Sequence, residues 1–182
     1  RLLGNVDLTD TNTQSFYGIW DPDSGSPTTL VTSTVSTGGN GRVGTVLPSV
    51  FDNDNNLGWE MDFPEAGERG NTDPYLAFGT LVFATNKPTT PDPCNPSGFS
   101  SWVYNLDYLS GGVVNLAGDT NTHIATYYAG ASTRPNVVVL PSGVVKSITR
   151  TSGQNVVNNV EEVRIKTGGS GARRVTWREL LN

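Results

Sequence analysis

Gly67 to Gly112 reads GERGNTDPYLAFGTLVFATNKPTTPDPCNPSGFSSWVYNLDYLSGG, and its punctuation decides the fold class. Two short apolar runs, Leu81 to Thr85 and Trp102 to Leu106, flank a loop rich in Pro, Asp and Gly. The stretch closes on Asp107-Tyr108-Leu109-Ser110-Gly111-Gly112, a turn sequence. Strand, long exposed loop, strand and tight turn make one repeat of an antiparallel sheet. Just upstream, Asp73-Pro74 introduces a strand from Tyr75 to Phe78. Gly79 permits a sharp turn and Thr80 to Thr85 returns, which predicts a hairpin.

Working outward, the N-terminal side carries the same grammar. Arg1 to Asp10 has the composition of a loop or helix cap. Ser15 to Trp20 is a compact apolar run with Trp20 as a core anchor, ended abruptly by Asp21-Pro22-Asp23-Ser24-Gly25. Thr28 to Ser36 is β-branched almost throughout and predicts a strand. Gly38 to Gly41 breaks it. Val43 to Phe51 predicts another strand, with Pro48 moving it toward a sheet edge. From Gly58 to Phe63 the pattern alternates, with Trp59, Met61 and Phe63 on one face and Glu60 and Asp62 on the other.

The C-terminal side continues with strands at Val113 to Leu116, Ile124 to Tyr128, Val137 to Leu140, Val144 to Thr149 and Val160 to Ile165. The tail Arg173-Arg174-Val175-Thr176-Trp177-Arg178-Glu179 predicts a last strand, and only Trp177 to Leu181 has the makings of a helical turn. With 21 Gly and 11 Pro in 182 residues, many short strands joined by turns are expected and a helical bundle is not. The predicted class is all-β, one region from 1 to 182.

Charge removes one function class. Lys and Arg number 12 against 17 Asp and Glu, a net charge of −5, and the only basic knot is Arg173-Arg174 with Arg178. A phosphate-gripping protein clusters its cations, so no nucleic-acid partner is expected. No apolar run approaches the ~20 residues of a membrane-spanning helix. The single cysteine, Cys94, lies in Pro91-Asp92-Pro93-Cys94-Asn95-Pro96. It has no partner within the chain for a disulfide. Two readings stand: a partner elsewhere in a longer parent protein, or an unpaired loop thiol.

The chemistry-bearing residues are sparse. Asp52-Asn53-Asp54-Asn55-Asn56 begins like a calcium loop, but the sixth position is Leu57 where Gly is needed and the twelfth is Phe63 where Glu is needed. It reads as a solvated turn, with Asp52 and Asp54 as weak candidate ligands. His123 has no nucleophile elbow to serve and reads as structural or surface. Glu60/Asp62 and Glu161/Glu162 are carboxylate pairs whose separation across a cleft the sequence does not set. Gly168-Gly169-Ser170-Gly171 lacks the Lys of a phosphate-binding loop. No catalytic or cofactor-binding residue is assigned.

The turn at Asp107 resembles the blade-closing turn of quinoprotein-type propellers, in which an Asp and a hydroxyl satisfy turn amides and Gly takes the positive φ. Asp107, Ser110 and Gly111 fit that pattern. Asn105 and Asn115 stand where Ala and Trp are usual. The wider series is Phe16-Tyr17-Gly18-Ile19-Trp20-Asp21, Gly58-Trp59 to Asp62, Gly67-Glu68-Arg69 with Asp73-Pro74, Gly79 to Phe83, the Cys94 loop, Ser101-Trp102 to Leu106-Asp107, and Arg173 to Leu180. In that order, and over nearly the whole chain, it resembles the C-terminal propeller of the PilC/PilY family of type IV pilus tip-associated adhesins.

The resemblance implies antiparallel four-stranded sheets in a partial or complete propeller. At about 40–50 residues a blade this is roughly four blades, a fragment of a longer protein. It also implies an exported adhesin and biogenesis factor at the bacterial cell surface and pilus tip, outer membrane-associated. Its partners would be minor and major pilins and a host-cell or abiotic surface, and its roles attachment and twitching motility. The family's calcium loop lies upstream, so no cofactor is expected in this region. Binding is expected to use the loop from Lys87 to Gly98, with Lys87, Asp92, Cys94 and Phe99 as candidates. The rival expectations are a quinone-dependent enzyme of the same blade type, or a carbohydrate-binding domain with Trp102, Tyr127 and Tyr128 as its platform.

Overall fold

A computed structural model describes residues 8–19, 29–38, 41–48, 56–90, 98–116, 120–152 and 157–165. Among the described residues there are twelve strands: β1 (Ser15–Ile19), β2 (Thr29–Thr32), β3 (Val35–Gly38), β4 (Gly41–Gly44), β5 (Asn56–Asp62), β6 (Tyr75–Ala77), β7 (Thr80–Pro88), β8 (Phe99–Asp107), β9 (His123–Ala129), β10 (Asn136–Val139), β11 (Val145–Thr151) and β12 (Val157–Glu162). The protein is all-β, and its sheets are antiparallel apart from one parallel pair, β2 with β5.

The strands form three sheets with orders β1-β5-β2, β3-β4-β9-β8-β7-β6 and β10-β11-β12. These hold three, six and three strands where repeated fours are expected. Four strands consecutive in sequence, β6 to β9, make an antiparallel meander, and the β3–β4 hairpin joins its β9 edge through Gly41↔Thr126 and Arg42↔Ala125. An open β9 edge would leave a row of unpaired amides, and that hairpin covers it.

The two long strands β7 and β8 pair from Thr80↔Asp107 to Pro88↔Phe99 and are buried on both faces. This double burial explains why both read as near-continuous apolar runs. One face carries Phe83, Trp102, Tyr104 and Leu106 into an aromatic core with Trp59, Met61 and Phe63 of the β5 region. Phe16 of β1 stacks on Phe83 with centroids 4.3 Å apart, and Phe83 stacks on Tyr104 at 4.9 Å. The opposite face carries Val82, Ala84 and Val103 against Val145 and Val163. The central sheet is thus sandwiched between the other two.

Several boundaries differ from those expected. Thr28 to Ser36 is broken into two strands because Ser33 turns inward. Its N–H donates to the Glu60 carbonyl at 2.8 Å and its hydroxyl to the Gly111 carbonyl at 2.7 Å. The chain leaves one sheet there and enters the next. Gly41, expected to interrupt, opens β4, which ends at Gly44, so the strand expected from Val43 is displaced toward the N-terminus. Val113 to Leu116 is not a strand; Val113 donates to the Thr45 carbonyl at 2.9 Å and packs as a buried loop. Phe78 belongs to the turn, not to β6, and with Gly79 it forms a two-residue link in which both residues have positive φ (49° and 81°). The last described strand starts at Val157 and stops at Glu162, leaving Val163 and Ile165 to pack beyond its end. Trp20, the Asp52–Asn55 run, Asp92, Cys94, Gly168 to Gly171 and the Arg173 to Leu181 tail lie outside the described residues.

Candidate functional site

The β7–β8 hairpin is the stem of the candidate binding loop, and its base is tied to the core. Thr89 donates its N–H to the Gly98 carbonyl at 2.8 Å, closing the stem at the loop's mouth. Phe99 is half-buried opposite Pro88. Lys87 does not reach into solvent as a free contact residue: its Nζ donates to Glu65 Oε2 at 2.9 Å. Asp92 and Cys94 lie outside the described residues, so of the four candidates Lys87 and Phe99 are placed, both on the stem.

Glu65 connects that stem to a buried ionic cluster. Its other oxygen, Oε1, accepts from Trp102 Nε1 and from Arg42 Nη2, both at 2.8 Å. Arg42 is wholly buried and donates through Nη1 to Glu68 Oε1 at 2.7 Å. Glu68 Oε1 also accepts from the hydroxyls of Thr85 at 2.5 Å and Tyr104 at 3.1 Å. Arg42 further donates to the Tyr104 hydroxyl. Its guanidinium lies 3.9 Å from the centre of the Trp102 ring, a cation–π contact made strong by exclusion of water.

The electrostatics follow from this crowding. Desolvation works against the charge on Arg42, but the bond to Glu68 and the nearby negative charges outweigh it and raise its pKa. Desolvation likewise pushes Glu65 upward, and the bonds from Lys87 and Trp102 overcome it, so its pKa is lowered. Burial pushes the Tyr104 phenol well above its ordinary value, and the Glu68 charge adds to that. The chemistry of these groups is that of a structural anchor.

This geometry corrects the aromatic platform. Trp102 is 6% exposed, with one face against Arg42, its N–H on Glu65 and Tyr127 meeting it edge-on at 5.3 Å. Its ring is not available for sugar stacking. Tyr127 is exposed, whereas the Tyr128 hydroxyl donates to Glu161 and burial with that neighbour raises its pKa. Trp102 and Tyr127 lie on the aromatic-core side of the sheet and Tyr128 on the other, so the three present no common surface.

The turn residues have defined duties. Asp107 Oδ1 accepts from the Leu109 N–H at 3.0 Å and the Asp107 carbonyl from the Gly111 N–H at 2.8 Å. Ser110 Oγ accepts from the Gly112 N–H at 3.3 Å. Gly111 has φ +70°, and a Cβ there would overlap the Trp59 ring; a Cβ at Gly18 would overlap the same indole. The Trp59 N–H donates to the Tyr108 carbonyl at 2.9 Å. The turn is therefore the shelf on which Trp59 rests.

Sequence reasoning did not single out Arg42 or Glu65. A lone Arg between Gly41 and Val43, in a strand, was the available signal, because a cation inside an apolar strand needs a buried partner. Among the described residues no group of three or more His, Cys, Asp or Glu side chains is arranged to hold a metal ion. Asp52 and Asp54 are not among them. No family model, curated protein or solved structure matches this chain.

Proposed function

We propose that this chain is the C-terminal part of a β-propeller in a type IV pilus tip-associated adhesin and biogenesis factor of the PilC/PilY type. It would serve as a non-catalytic binding scaffold at the bacterial surface. One observation carries the reading: residues of the ordered series, far apart in sequence, form one packed unit. Phe16 stacks on Trp59 at 5.9 Å, Trp59 lies against Gly18 and Gly111, and Glu68 is bonded through Arg42 and Glu65 to Trp102. That the described members of the series share one packed core is what supports the reading.

One part of the topology supports the blade assignment: within the six-stranded central sheet, β6 to β9 form a four-strand antiparallel meander like that of a propeller blade, extended by the β3–β4 hairpin, with a further sheet packed on each face. The partners under this reading are pilins at the base and a host-cell or abiotic surface at the loops. The β7–β8 loop, on a stem locked by Lys87 and Glu65, is the part offered to the surface.

The test is genetic. Deleting the parent gene is expected to abolish piliation or surface attachment together with twitching. Replacing residues 90–97 by Asn-Gly is expected to spare piliation and reduce attachment. Normal piliation, attachment and motility in the deletion strain would sink the proposal.

A further inference from the structure

The side of the central sheet that packs on β10–β12 leads at one end into an open cleft of about 520 Å³ lined mostly by polar side chains. Asn105 of β8, His123 and Thr126 of β9, and Glu161 and Arg164 at the end of β12 line it. Its position is independent of the hairpin loop, and ligand binding there does not depend on a pilus role.

The backbone is shaped to bring His123 to this cleft. Between β4 and β9 the register slips at Arg42/Val43, where Ile124 is passed over. Ile124 and Ala125 both enter the aromatic core. The extra residue of this bulge therefore sends His123 to the opposite side, alongside Thr126. Gly41 makes the room, since a Cβ there would overlap the imidazole Nε2. His123 is the only histidine in the chain.

The polar groups are held by partners at the rim. The Tyr128 hydroxyl donates to Glu161, and Arg164 donates to the Asn121 carbonyl at 2.8 Å. Asn121 Oδ1 accepts the His123 backbone N–H at 2.9 Å. Such positions are set before a ligand arrives. At the floor, Asn105 Oδ1 is buried without a hydrogen-bond partner. The protein itself leaves that acceptor unsatisfied, so a ligand hydroxyl that reached it would supply its missing donor.

Charge balance selects the ligand class. Glu162, also at the cleft, is paired with Lys146 at 2.9 Å, so the other charged side chains of the lining are one carboxylate, Glu161, and one guanidinium, Arg164. Neither an anion nor a cation is favoured by such a site. Carboxylate, amide and hydroxyl acceptors line the cleft together with guanidinium, amide and hydroxyl donors, a mixture that sugar hydroxyls can satisfy because each both donates and accepts. We propose that this cleft binds a neutral saccharide of one or two rings.

The lone imidazole supplies its own reporter. The full chain is titrated with lactose, maltose, methyl α-mannoside and N-acetylglucosamine to roughly 10 mM, ten-fold above a millimolar Kd, while the His123 ring signals are followed by NMR. N-acetylneuraminic acid and spermidine serve as anionic and cationic comparators. A saturable shift with a neutral sugar is expected, at least ten-fold weaker in Arg164→Ala and in Thr126→Val. Stronger binding of either charged comparator overturns the ligand class, and an unmoved imidazole with every sugar overturns the site. Because the wild-type signal locates binding by itself, the site stands or falls on that titration even where a variant fails to fold.

Discussion

Arg42 and Glu68, both wholly buried, meet at 2.7 Å in the core between the central sheet and the segment that follows β5. Replacing Glu68 by Ala leaves a buried guanidinium with only the part-exposed Glu65 as its counter-charge. Removing one partner of such a pair costs about 3–5 kcal/mol. Glu68→Ala is therefore expected to lower the urea midpoint sharply, with m unchanged. The double variant Arg42→Met/Glu68→Gln is expected to recover a substantial part of the loss. A double-variant loss equal to the sum of the separate Arg42→Met and Glu68→Gln losses would show that the charges are not coupled.

The titrating groups predict stability lost at both pH extremes. Glu65 has a lowered folded pKa, so its contribution is present above its ordinary value of 4.5 and is lost as pH falls through the folded value. Tyr104 has a raised folded pKa, so its contribution is complete below its ordinary value of 10.0 and is lost as pH rises beyond that. Urea midpoints measured across pH should show a plateau between. Glu65→Gln should flatten the acid limb and Tyr104→Phe the alkaline one.

Two glycines with similar backbone angles separate strain from packing. Gly111 (φ +70°) lies against the Trp59 ring, whereas Gly143 (φ +82°) has nothing within 4 Å of the position a Cβ would take. Alanine at Gly143 carries the left-handed cost alone, about 1–2 kcal/mol. Alanine at Gly111 adds overpacking of about 1–3 kcal/mol. The midpoint should fall further for Gly111→Ala, and only that variant should shift tryptophan fluorescence.

Phe78 is a large residue at positive φ, 45% exposed, in a two-residue turn whose geometry favours Asn-Gly. Phe78→Asn is expected to raise stability by about 0.5–1 kcal/mol, since Asn tolerates the left-handed region. A lower thermal midpoint for this variant would mean that the Phe78 ring makes a packing contribution larger than the strain.

Much of the fold is legible in local pattern. Trp59, Met61 and Phe63 share a buried face because a strand alternates, and no distant residue is needed to see it. The all-β class follows equally from turn residues and β-branched runs. What is not legible depends on pairing. Thr28 to Ser36 reads as one strand because β-propensity cannot tell which sheet each half joins; Ser33 decides that by bonding to Glu60 and Gly111. Trp102 reads as an exposed candidate until Arg42, far away in sequence, is found over its ring. The orientation of His123 depends on a bulge created by the register with β4. Local chemistry spells strands and turns, and long-range register decides which side chains meet.

The β4–β9 pairing also constrains the order in which the protein can be made. Gly41 finds its partner at Thr126, so the edge formed by β3 and β4 has no seat until the chain is complete through β9. A nascent chain must keep Arg42 solvated while β5 to β8 emerge, since its charge can be buried only once that sheet exists. Vectorial synthesis thus ends in a single late closure, and truncations short of Ala129 should yield protease-sensitive chains instead of a smaller folded core.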